Sequence, residues 1–317
     1  MTGIALIGCG KWGINYLRTL QTVTEAKLLY VCDLDQSKRS EIIAHYPQLK
    51  VVDNYQTILC DPQVRGVIIA TPPESHYQLA VNCLKSGKAV LVEKPVTDSY
   101  QSAHKLMEVA DQSGQVLMVG HLMQYHPGVE LIKQYYDQGM LGELKFLDFN
   151  RTNCQIYRTD VNVLADLAIH DLAVLLYLLE EEPLWVRAVG IKWQPDLPLG
   201  SVVITVNFAS GVLANVHANW HYPIKQRRIS IIGDQGLVEF DDVAVPYSVA
   251  LINATGEKSY LTPDMAKPLH RQCIHFINCI NSGAAPRSDS KSALKVMKLL
   301  EAVERSLATQ STVRCKG

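Results

Sequence analysis

The fold of the amino-terminal half is decided by the stretch Ile4-Ala5-Leu6-Ile7-Gly8-Cys9-Gly10-Lys11-Trp12-Gly13. Its four leading apolar residues predict a buried strand, and the residues from Gly13 onward predict a helix. Three glycines separate the two elements. Gly8 permits a tight turn, Gly10 allows a ligand to approach the backbone, and Gly13 allows the helix to pack against the strand. Lys11 and Trp12 complete the loop.

A strand–loop–helix unit of this kind predicts a dinucleotide site, because the free N–H groups at a helix start bind a pyrophosphate. Asp33 stands twenty residues after Gly13, at the end of the second predicted strand. A carboxylate at that spacing accepts hydrogen bonds from the adenosine ribose. It also repels a 2′-phosphate, so the sequence favours NAD over NADP, although Lys38 and Arg39 stand near enough to soften the preference.

Short apolar runs alternate with helical stretches over residues 1–122, which we interpret as the first domain. Val, Ile and Leu dominate the runs without alternation, as in strands that are buried on both faces. The predicted strands are Ile4–Ile7, Leu28–Cys32, Gly66–Ala70, Ala89–Val92 and Val116–Val119. The predicted helices are Gly13–Gln21, Ser37–His45, Glu74–Ser86 and Ser99–Gln112. The alternation indicates an α/β domain with a doubly wound parallel sheet.

Residues 123–317 change pattern and predict a second, α+β domain. Strand-like runs follow one another closely and are separated by turn residues, which is typical of an antiparallel sheet. These runs are Glu143–Asn153, Trp185–Trp193, Ser201–Phe208, Val212–Trp220, Arg227–Ile232 and Gly236–Asp241. The helices are predicted near Pro127–Gln138, Ala165–Leu179, Leu269–Asn281 and Lys291–Leu307.

Composition excludes several classes of protein. The chain of 317 residues is 48% hydrophobic and 19% charged, with a net charge of −1 and no run of Lys or Arg, so neither nucleic acid nor an anionic membrane is an expected partner. No signal peptide or spanning segment is recognisable, and eight scattered cysteines without a CxxC pair suit a reducing, cytoplasmic location. Clustered Cys and His ligands are missing, so we expect no metal.

Two segments carry groups suited to chemistry. Lys94, in Glu93-Lys94-Pro95, follows a predicted parallel strand, at the edge where ligands bind, and can stabilise charge on a substrate oxygen. Asp166 and His170 lie four apart on a predicted helix and hence on one face. His170 can take a hydroxyl proton as hydride leaves the carbon, and the carboxylate can orient the ring or bind a hydroxyl. A solvated lysine and a surface Asp–His pair are the alternative interpretations.

Together these segments resemble the Gfo/Idh/MocA family of oxidoreductases. The likeness runs in order through the Gly8–Gly13 loop, Ala70-Thr71-Pro72-Pro73-Glu74-Ser75-His76, Glu93-Lys94-Pro95, Gly120-His121 and Asp166-x-x-x-His170. The resemblance implies a Rossmann domain followed by a mostly antiparallel sheet whose open face commonly builds dimers or tetramers.

The resemblance also assigns roles. It implies hydride transfer at a carbinol carbon of a sugar, cyclitol or related small molecule, with Lys94, Asp166 and His170 as the catalytic group. The residues that would line the nicotinamide side are Thr71, Pro72, His76, Glu93 and His121. It further implies a cis peptide bond between Lys94 and Pro95.

A narrower likeness connects the chain to the family's sugar-nucleotide dehydrogenases, which act on UDP-activated amino sugars or uronic acids. It rests on residues 158–171 and 219–227 and suggests contacts to substrate hydroxyls or phosphate from Arg158, Asn162, Lys225 and Arg227. Ala165 and Ile169 depart from the Trp and Pro that many relatives carry, so the pocket beside Asp166 and His170 is expected to differ.

The leading hypothesis is therefore an NAD(H)-dependent dehydrogenase acting on CH–OH groups. A dinucleotide-binding regulatory or sensor protein that kept the fold and lost turnover is the main alternative, because fold does not fix function. A reductase of a non-sugar substrate such as a tetrapyrrole or dihydrodiol stays open as a third.

Overall fold

The computed structural model describes residues 1–154, 159, 161–246 and 248–315. These residues form two units. Unit 1 comprises Met1–Leu122 and Lys267–Leu294, and unit 2 comprises Met123–Ala266 and Lys295–Gly317, apart from the residues not described. Each unit has its own sheet.

The sheet of unit 1 is parallel throughout and has the order β3-β2-β1-β4-β5-β6. Its strands are β1 (Thr2–Ile7), β2 (Ala26–Cys32), β3 (Lys50–Val52), β4 (Gly66–Ile69), β5 (Ala89–Val92) and β6 (Leu117–Val119). Every residue of β1, β4, β5 and β6 is buried, as expected for strands covered on both faces. The prediction of a doubly wound α/β domain is confirmed.

The helices of unit 1 follow the predicted alternation. They are α1 (Gly13–Leu20), α2 (Gln36–His45), α3 (Gln56–Cys60), α4 (His76–Lys85) and α5 (Tyr100–Ser113), with a 3-10 turn at Pro73–Ser75. Ser99 caps α5 by accepting from the Ser102 N–H, and Gly114 ends it in the left-handed conformation. The short elements β3 and α3 were not predicted, because three and five residues are too few to show a period.

Helix α8 (Pro268–Ser282) lies in unit 1, although the sequence analysis grouped it with the second domain. It contacts α1, and its Phe276 and Ile280 side chains fill the space that a Cβ on Gly66 would need. Arg65 also donates to the carbonyl of Ile280 at 2.9 Å. These long-range contacts leave no trace in the local pattern. The two-domain boundary after residue 122 remains a prediction.

Among the described residues of unit 2, the sheet has nine strands in the order β14-β13-β12-β11-β7-β10-β9-β8-β15. They are β7 (Leu144–Thr152), β8 (Pro183–Lys192), β9 (Leu199–Phe208), β10 (Leu213–Asn219), β11 (Gln226–Gly233), β12 (Gly236–Asp241), β13 (Ser248–Asn253), β14 (Lys258–Leu261) and β15 (Val313–Arg314). All neighbours are antiparallel except β7 and β10, so the predicted, mostly antiparallel sheet is confirmed. In β9 and β10 alternate residues are buried, so one face is covered and the other is partly exposed.

The helices of unit 2 are α6 (Pro127–Asp137) and α7 (Ile169–Leu179), and α9 (Ser290–Thr309) has its larger part in this unit. A 3-10 turn at Leu122–Tyr125 precedes α6, and a π-helix at Leu164–Ala168 runs directly into α7. The predicted helix at 165–179 therefore exists with a wider first turn. Helix α7 is almost wholly buried, in keeping with its run of Leu, Val and Ala.

All eight cysteines are free thiols, and five of them are buried. Burial raises the pKa of Cys9, in the glycine loop, to about 11, with the nearby Asp33 carboxylate adding to the effect. This thiol is therefore inert near neutral pH. Among the helices in the described parts of the chain, none combines the length and hydropathy that crossing a bilayer requires.

Candidate active site

The three glycines of the loop between β1 and α1 differ in the space around them. At two of them a side chain would collide with the backbone, and at the third it would not. Gly8 has a φ of +87°, and a Cβ on it would lie 2.7 Å from the Ala70 carbonyl oxygen. A Cβ on Gly13 would lie 2.1 Å from the Gly8 carbonyl oxygen. A Cβ on Gly10 would have the Lys38 Nζ as its nearest described neighbour outside the adjacent residues, at 3.8 Å. The fold therefore requires the outer glycines, and the middle one leaves room above the backbone for a ligand.

The amino end of α1 is suited to an anion. Trp12 occupies the capping position without a side-chain hydrogen bond to the helix, within the residues described, and the first turn carries no acidic residue. The partial positive charge of the helix end is therefore not offset by a carboxylate of its own. A pyrophosphate fits this end of the helix and the space above Gly10.

Asp33 is fixed beside the glycine loop. Its Oδ2 accepts the Cys9 N–H at 2.7 Å, and its Oδ1 accepts the Asp35 N–H at 2.9 Å. Arg39 donates to the carbonyl oxygens of Asp33 and Leu34 at 2.9 and 2.8 Å, which commits its guanidinium to the backbone. Arg39 keeps its positive charge and also lies 3.9 Å from Asp53. The charged groups near the predicted ribose position thus include the fixed Asp33 carboxylate, the Lys38 ammonium and the Arg39 guanidinium.

His76 ties two loops together at the carboxyl edge of the parallel sheet. Its Nδ1 lies 2.8 Å from the Pro95 carbonyl oxygen and its Nε2 lies 2.8 Å from the Thr71 carbonyl oxygen. Thr71 in turn pairs its hydroxyl with Ser75 at 2.6 Å, and the Ser75 hydroxyl contacts the Pro72 carbonyl at 2.7 Å. The polar atoms of His76 therefore hold the loops that follow β4 and β5.

Glu93 is a buried carboxylate with three donors. Its Oε1 accepts the indole Nε1–H of Trp12 at 2.6 Å and the hydroxyl of Tyr16 at 2.7 Å. Its Oε2 accepts the Lys94 N–H at 3.1 Å. A Cβ on Gly120 would lie 2.8 Å from Oε1, which explains why a glycine precedes His121. Burial raises the pKa of Glu93, and the bonds from Tyr16 and Trp12 oppose that rise.

Lys94 and His121 stand beside this carboxylate. The peptide bond between Lys94 and Pro95 is cis, as the resemblance implied. His121 is 3% exposed, and neither ring nitrogen has a hydrogen-bond partner in the described part of unit 1. Burial lowers its pKa to about 4, and the charge of Lys94 contributes. A neutral imidazole with two unused polar atoms fits a site whose remaining partner is a ligand.

In unit 2, Asp166 and His170 share the less buried side of the helix. Both are partly exposed, and the three residues between them are buried. The Asp166 Oδ2 accepts the indole N–H of Trp220 at 2.9 Å. The Asn162 Oδ1 accepts the Ala165 N–H at 3.0 Å, so this predicted substrate contact caps the turn that carries Asp166.

Helix α7 is clamped to the sheet by a buried ion pair that the sequence analysis did not find. Arg151, on β7, donates through Nε and Nη2 to both oxygens of Asp171 at 2.7–3.0 Å. Burial opposes the charge of Arg151, but Asp171 outweighs it and raises the pKa of the guanidinium. The available signal was Asp171 inside an otherwise apolar helix, next to His170.

The other predicted substrate contacts differ in their surroundings. Arg227 lies 3.3 Å from Asp242, which also lies 3.1 Å from the buried His126. Burial works against ionisation of Asp242, yet His126 and Arg227 lower its pKa. Lys225 is exposed, and Arg158 lies outside the described residues. Across residues 1–154, 159, 161–246 and 248–315, no three His, Cys, Asp or Glu side chains are grouped to hold a metal.

Comparison with known proteins identifies the family. Residues 2–121 match the family model for an oxidoreductase family with an NAD-binding Rossmann fold, and residues 129–239 match its C-terminal domain. The chain belongs to the Gfo/Idh/MocA family. The resemblance drawn from the motifs is thereby confirmed, and with it the oxidoreductase class.

Relatives of this Gfo/Idh/MocA protein include dehydrogenases of cyclitols and sugar nucleotides. The scyllo-inositol 2-dehydrogenase (NAD(+)) of Bacillus subtilis (strain 168) is 26% identical over 89% of this chain and 87% of its own. The UDP-N-acetylglucosamine 3-dehydrogenase of Acidithiobacillus ferrooxidans is 30% identical over 69% of this chain and 66% of its own. An Agrobacterium radiobacter oxidoreductase, solved with NAD+, L-tartaric acid and magnesium, shares the fold with a TM-score of 0.89, 18% identity and coverage of 99% and 98%.

Proposed function

We propose that this chain is an NAD(H)-dependent dehydrogenase that interconverts a secondary alcohol and a ketone on a sugar, cyclitol or sugar nucleotide. One observation carries the proposal. Glu93 binds both Trp12 of the glycine loop and the backbone N–H of Lys94, so one buried carboxylate joins the predicted cofactor loop to the segment that carries the predicted catalytic lysine.

The cofactor site is proposed from residues of unit 1. Gly8, Gly10, Lys11 and Gly13 would hold the pyrophosphate, and Asp33 the adenosine ribose. Trp12, in the same loop, would contact the cofactor as well. Thr71, Pro72, His76, Glu93, Lys94 and His121 would form the nicotinamide side, with the bonds of His76 and Glu93 shaping its walls. The space above Gly10 and the unused nitrogens of His121 support the fit.

We infer a preference for NAD over NADP. The Asp33 carboxylate is held by two backbone N–H groups, so it cannot swing away from a 2′-phosphate. Like charges in contact are unfavourable, and Lys38 offsets only part of that repulsion. The relative in Bacillus subtilis is named for NAD(+), in keeping with this choice.

Bound NAD+ supplies a hydride acceptor, and the chain supplies the groups that handle the oxygen and its proton. Lys94 would donate to the substrate oxygen and stabilise negative charge there. The His170 imidazole would take the hydroxyl proton during oxidation and return it during reduction. Asp166, held by the Trp220 indole, would orient His170 or bind a neighbouring hydroxyl. Arg158, Asn162, Lys225 and Arg227 are proposed to contact the substrate's distal part.

We also propose that the protein forms a homodimer or homotetramer through the sheet of unit 2. Val189 on β8 and Val203 on β9 are opposite one another in register and exposed, and Ile191 on β8 is exposed as well. Exposed apolar side chains on a sheet face are typical of an interface. Val203→Lys is expected to shift the mass measured by light scattering toward the monomer. An unchanged mass would exclude this face.

The function is tested with a panel of UDP-sugars, free sugars and inositols, by following NADH formation. We expect turnover with at least one panel member and a higher kcat/KM with NAD+ than with NADP+. A chain that binds NADH but turns over no compound in either direction would instead support a sensor. A chain that binds no dinucleotide at all would refute the proposal.

A further inference from the structure

Trp12 combines an exposed ring with a buried anchor. The residue is 40% exposed, an unusual exposure for a large aromatic side chain, and it stands in the glycine loop at the start of α1. Its indole N–H nevertheless donates at 2.6 Å to Glu93, which is 7% exposed. One edge of the ring is therefore held in the interior while the ring itself remains accessible.

Several segments of unit 1 hold the Glu93 oxygen that accepts the Trp12 indole N–H. The oxygen that accepts the indole N–H also accepts Tyr16, one turn further along α1. Gly120 provides the space, because a Cβ there would collide with the same oxygen at 2.8 Å. A buried carboxylate that loses one of its donors is left poorly solvated, so each bond favours retention of the others. The position of the indole N–H is thus set by groups from α1, from the residue after β5 and from the residue after β6.

The position of Glu93 in the sheet indicates which part of a bound dinucleotide would lie next to the Trp12 ring. Asp33 follows β2, whereas Glu93 follows β5, and β1 and β4 lie between these strands. Three strand spacings separate the two strand ends by about 14 Å. Asp33 marks the adenosine side, so the ring of Trp12, bonded at β5, lies on the nicotinamide side.

We propose that Trp12 is a stacking platform for the nicotinamide ring and that Glu93 is the positioning residue that fixes its plane. This inference rests on the proposed function. An indole face attracts a cation, and the nicotinamide ring is cationic in NAD+ but neutral in NADH. The platform therefore favours the oxidised cofactor, and it restricts which face of the nicotinamide is open to hydride transfer.

The test uses binding and fluorescence, neither of which requires a substrate. Trp12→Leu removes the ring, Trp12→Phe keeps an aromatic face without the anchoring bond, and Glu93→Gln keeps the shape of the anchor without its charge. Trp193→Phe is the matched control, because Trp193 is also a half-exposed tryptophan and lies in unit 2. Kd values for NAD+ and NADH are measured by titration, and tryptophan-to-NADH energy transfer reports the ring's proximity to the bound cofactor.

We expect Trp12→Leu to raise the Kd for NAD+ about tenfold and that for NADH about threefold, because only the oxidised ring carries the charge. The same change is expected to remove at least about half of the NADH emission sensitised by tryptophan, because a stacked ring is the nearest donor. Trp12→Phe should retain part of the NAD+ preference. Glu93→Gln, whose amide oxygen can still accept the indole N–H, should keep most of the energy transfer and lower the NAD+ preference less than Trp12→Leu does.

Trp193→Phe should leave both Kd values and most of the transfer intact. Melting temperatures of all variants separate loss of the platform from loss of the fold, and the exposed Trp12 variants are expected to melt within a few degrees of the parent. A Trp12→Leu protein with unchanged energy transfer and an unchanged ratio of Kd values overturns the platform. If the platform effects appear while no panel compound turns over, the proposed catalysis fails and the platform stands. A parent chain that binds no dinucleotide overturns both.

Discussion

The carboxyl edge of the parallel sheet in unit 1 and the π-helix with its supporting sheet in unit 2 are built in different ways. The first uses backbone positions: glycines where a Cβ would collide, and side chains such as Asp33 and Glu93 that bind main-chain N–H groups. The second uses side-chain pairs between distant elements, such as Arg151 with Asp171 and Trp220 with Asp166. Unit 1 also has long-range side-chain pairs, as Glu93 with Trp12 shows, so the difference lies in the glycines and main-chain bonds that its site adds. The two halves should therefore respond differently to substitution.

Catalysis should fail in either half while cofactor binding survives. We expect His170→Ala to lower kcat about a thousandfold and Lys94→Ala to lower it about a hundredfold, each with little change in the Kd for NAD+. Stopped-flow and titration measurements separate the two quantities. His104→Ala, a half-exposed histidine on α5, is the control and should retain full activity. Full turnover in either test variant would remove that residue from the mechanism.

Breaking the clamp on α7 should destabilise the substrate half. Arg151→Met leaves Asp171 buried without its partner, which costs about 3–5 kcal/mol of unfolding free energy. The double variant Arg151→Met/Asp171→Leu should recover most of that loss, because it buries no lone charge. Chemical denaturation measures both. NADH affinity at low temperature should stay near that of the parent, and a single variant as stable as the double one would contradict this account.

The buried His121 should make unit 1 sensitive to acid. Its pKa is lowered from 6.5 to about 4, so between these values the unfolded state binds more protons and stability rises with pH. The contribution is complete above pH 6.5 and is lost as the pH falls toward 4. From pH 7 to pH 5 the cofactor-free protein should lose about 2 kcal/mol through this group.

His121→Leu cannot titrate, so its unfolding free energy should change less over the same pH interval. His104→Leu serves as the matched control and should follow the parent. The comparison is made by urea denaturation without dinucleotide. Identical pH profiles for His121→Leu and the parent would show that His121 titrates normally in the folded chain.

The smallest expected effect concerns the choice of cofactor. Lys38→Ala removes the ammonium near Gly10 and should weaken NADP+ binding about threefold while leaving NAD+ binding almost unchanged, because an exposed ion pair is worth little. Asp33→Ala should narrow the NAD+ to NADP+ affinity ratio about tenfold, since it removes the like charge. Titrations with both cofactors check this, with Lys85→Ala as the surface control. An unchanged ratio in Asp33→Ala would refute its proposed role.

The local elements could be predicted from the sequence because their physics is local. The glycine spacing and the position of Asp33 each depend on a few adjacent residues, and five of the six described strands of unit 1 follow from apolar runs. The cis bond before Pro95 was expected from the family resemblance alone. The sixth, Lys50–Val52, is only three residues long and therefore too short to show a strand pattern in the sequence.

The tertiary elements could not be predicted in the same way. Arg151 meets Asp171, and His126 meets Asp242, only because the sheet of unit 2 has a particular register. The docking of α8 in unit 1 likewise depends on partners far along the chain, because α8 contacts α1. Asn162 illustrates the same limit: the sequence did not predict that its Oδ1 accepts the Ala165 N–H, and its proposed substrate contact stays a prediction.

The π-helix at Leu164–Ala168 has a consequence for how such a protein can diversify. A π turn holds one residue more than an α turn. Deletion of the codon for Leu167 or Ala168 would let α7 begin as a regular helix, and it would leave Asp166 three residues before His170 instead of four. The Arg151–Asp171 ion pair lies after the deleted residue, so α7 itself would stay bound to the sheet. One inherited deletion or insertion is therefore a short evolutionary route to a new arrangement of acid and base on an unchanged scaffold.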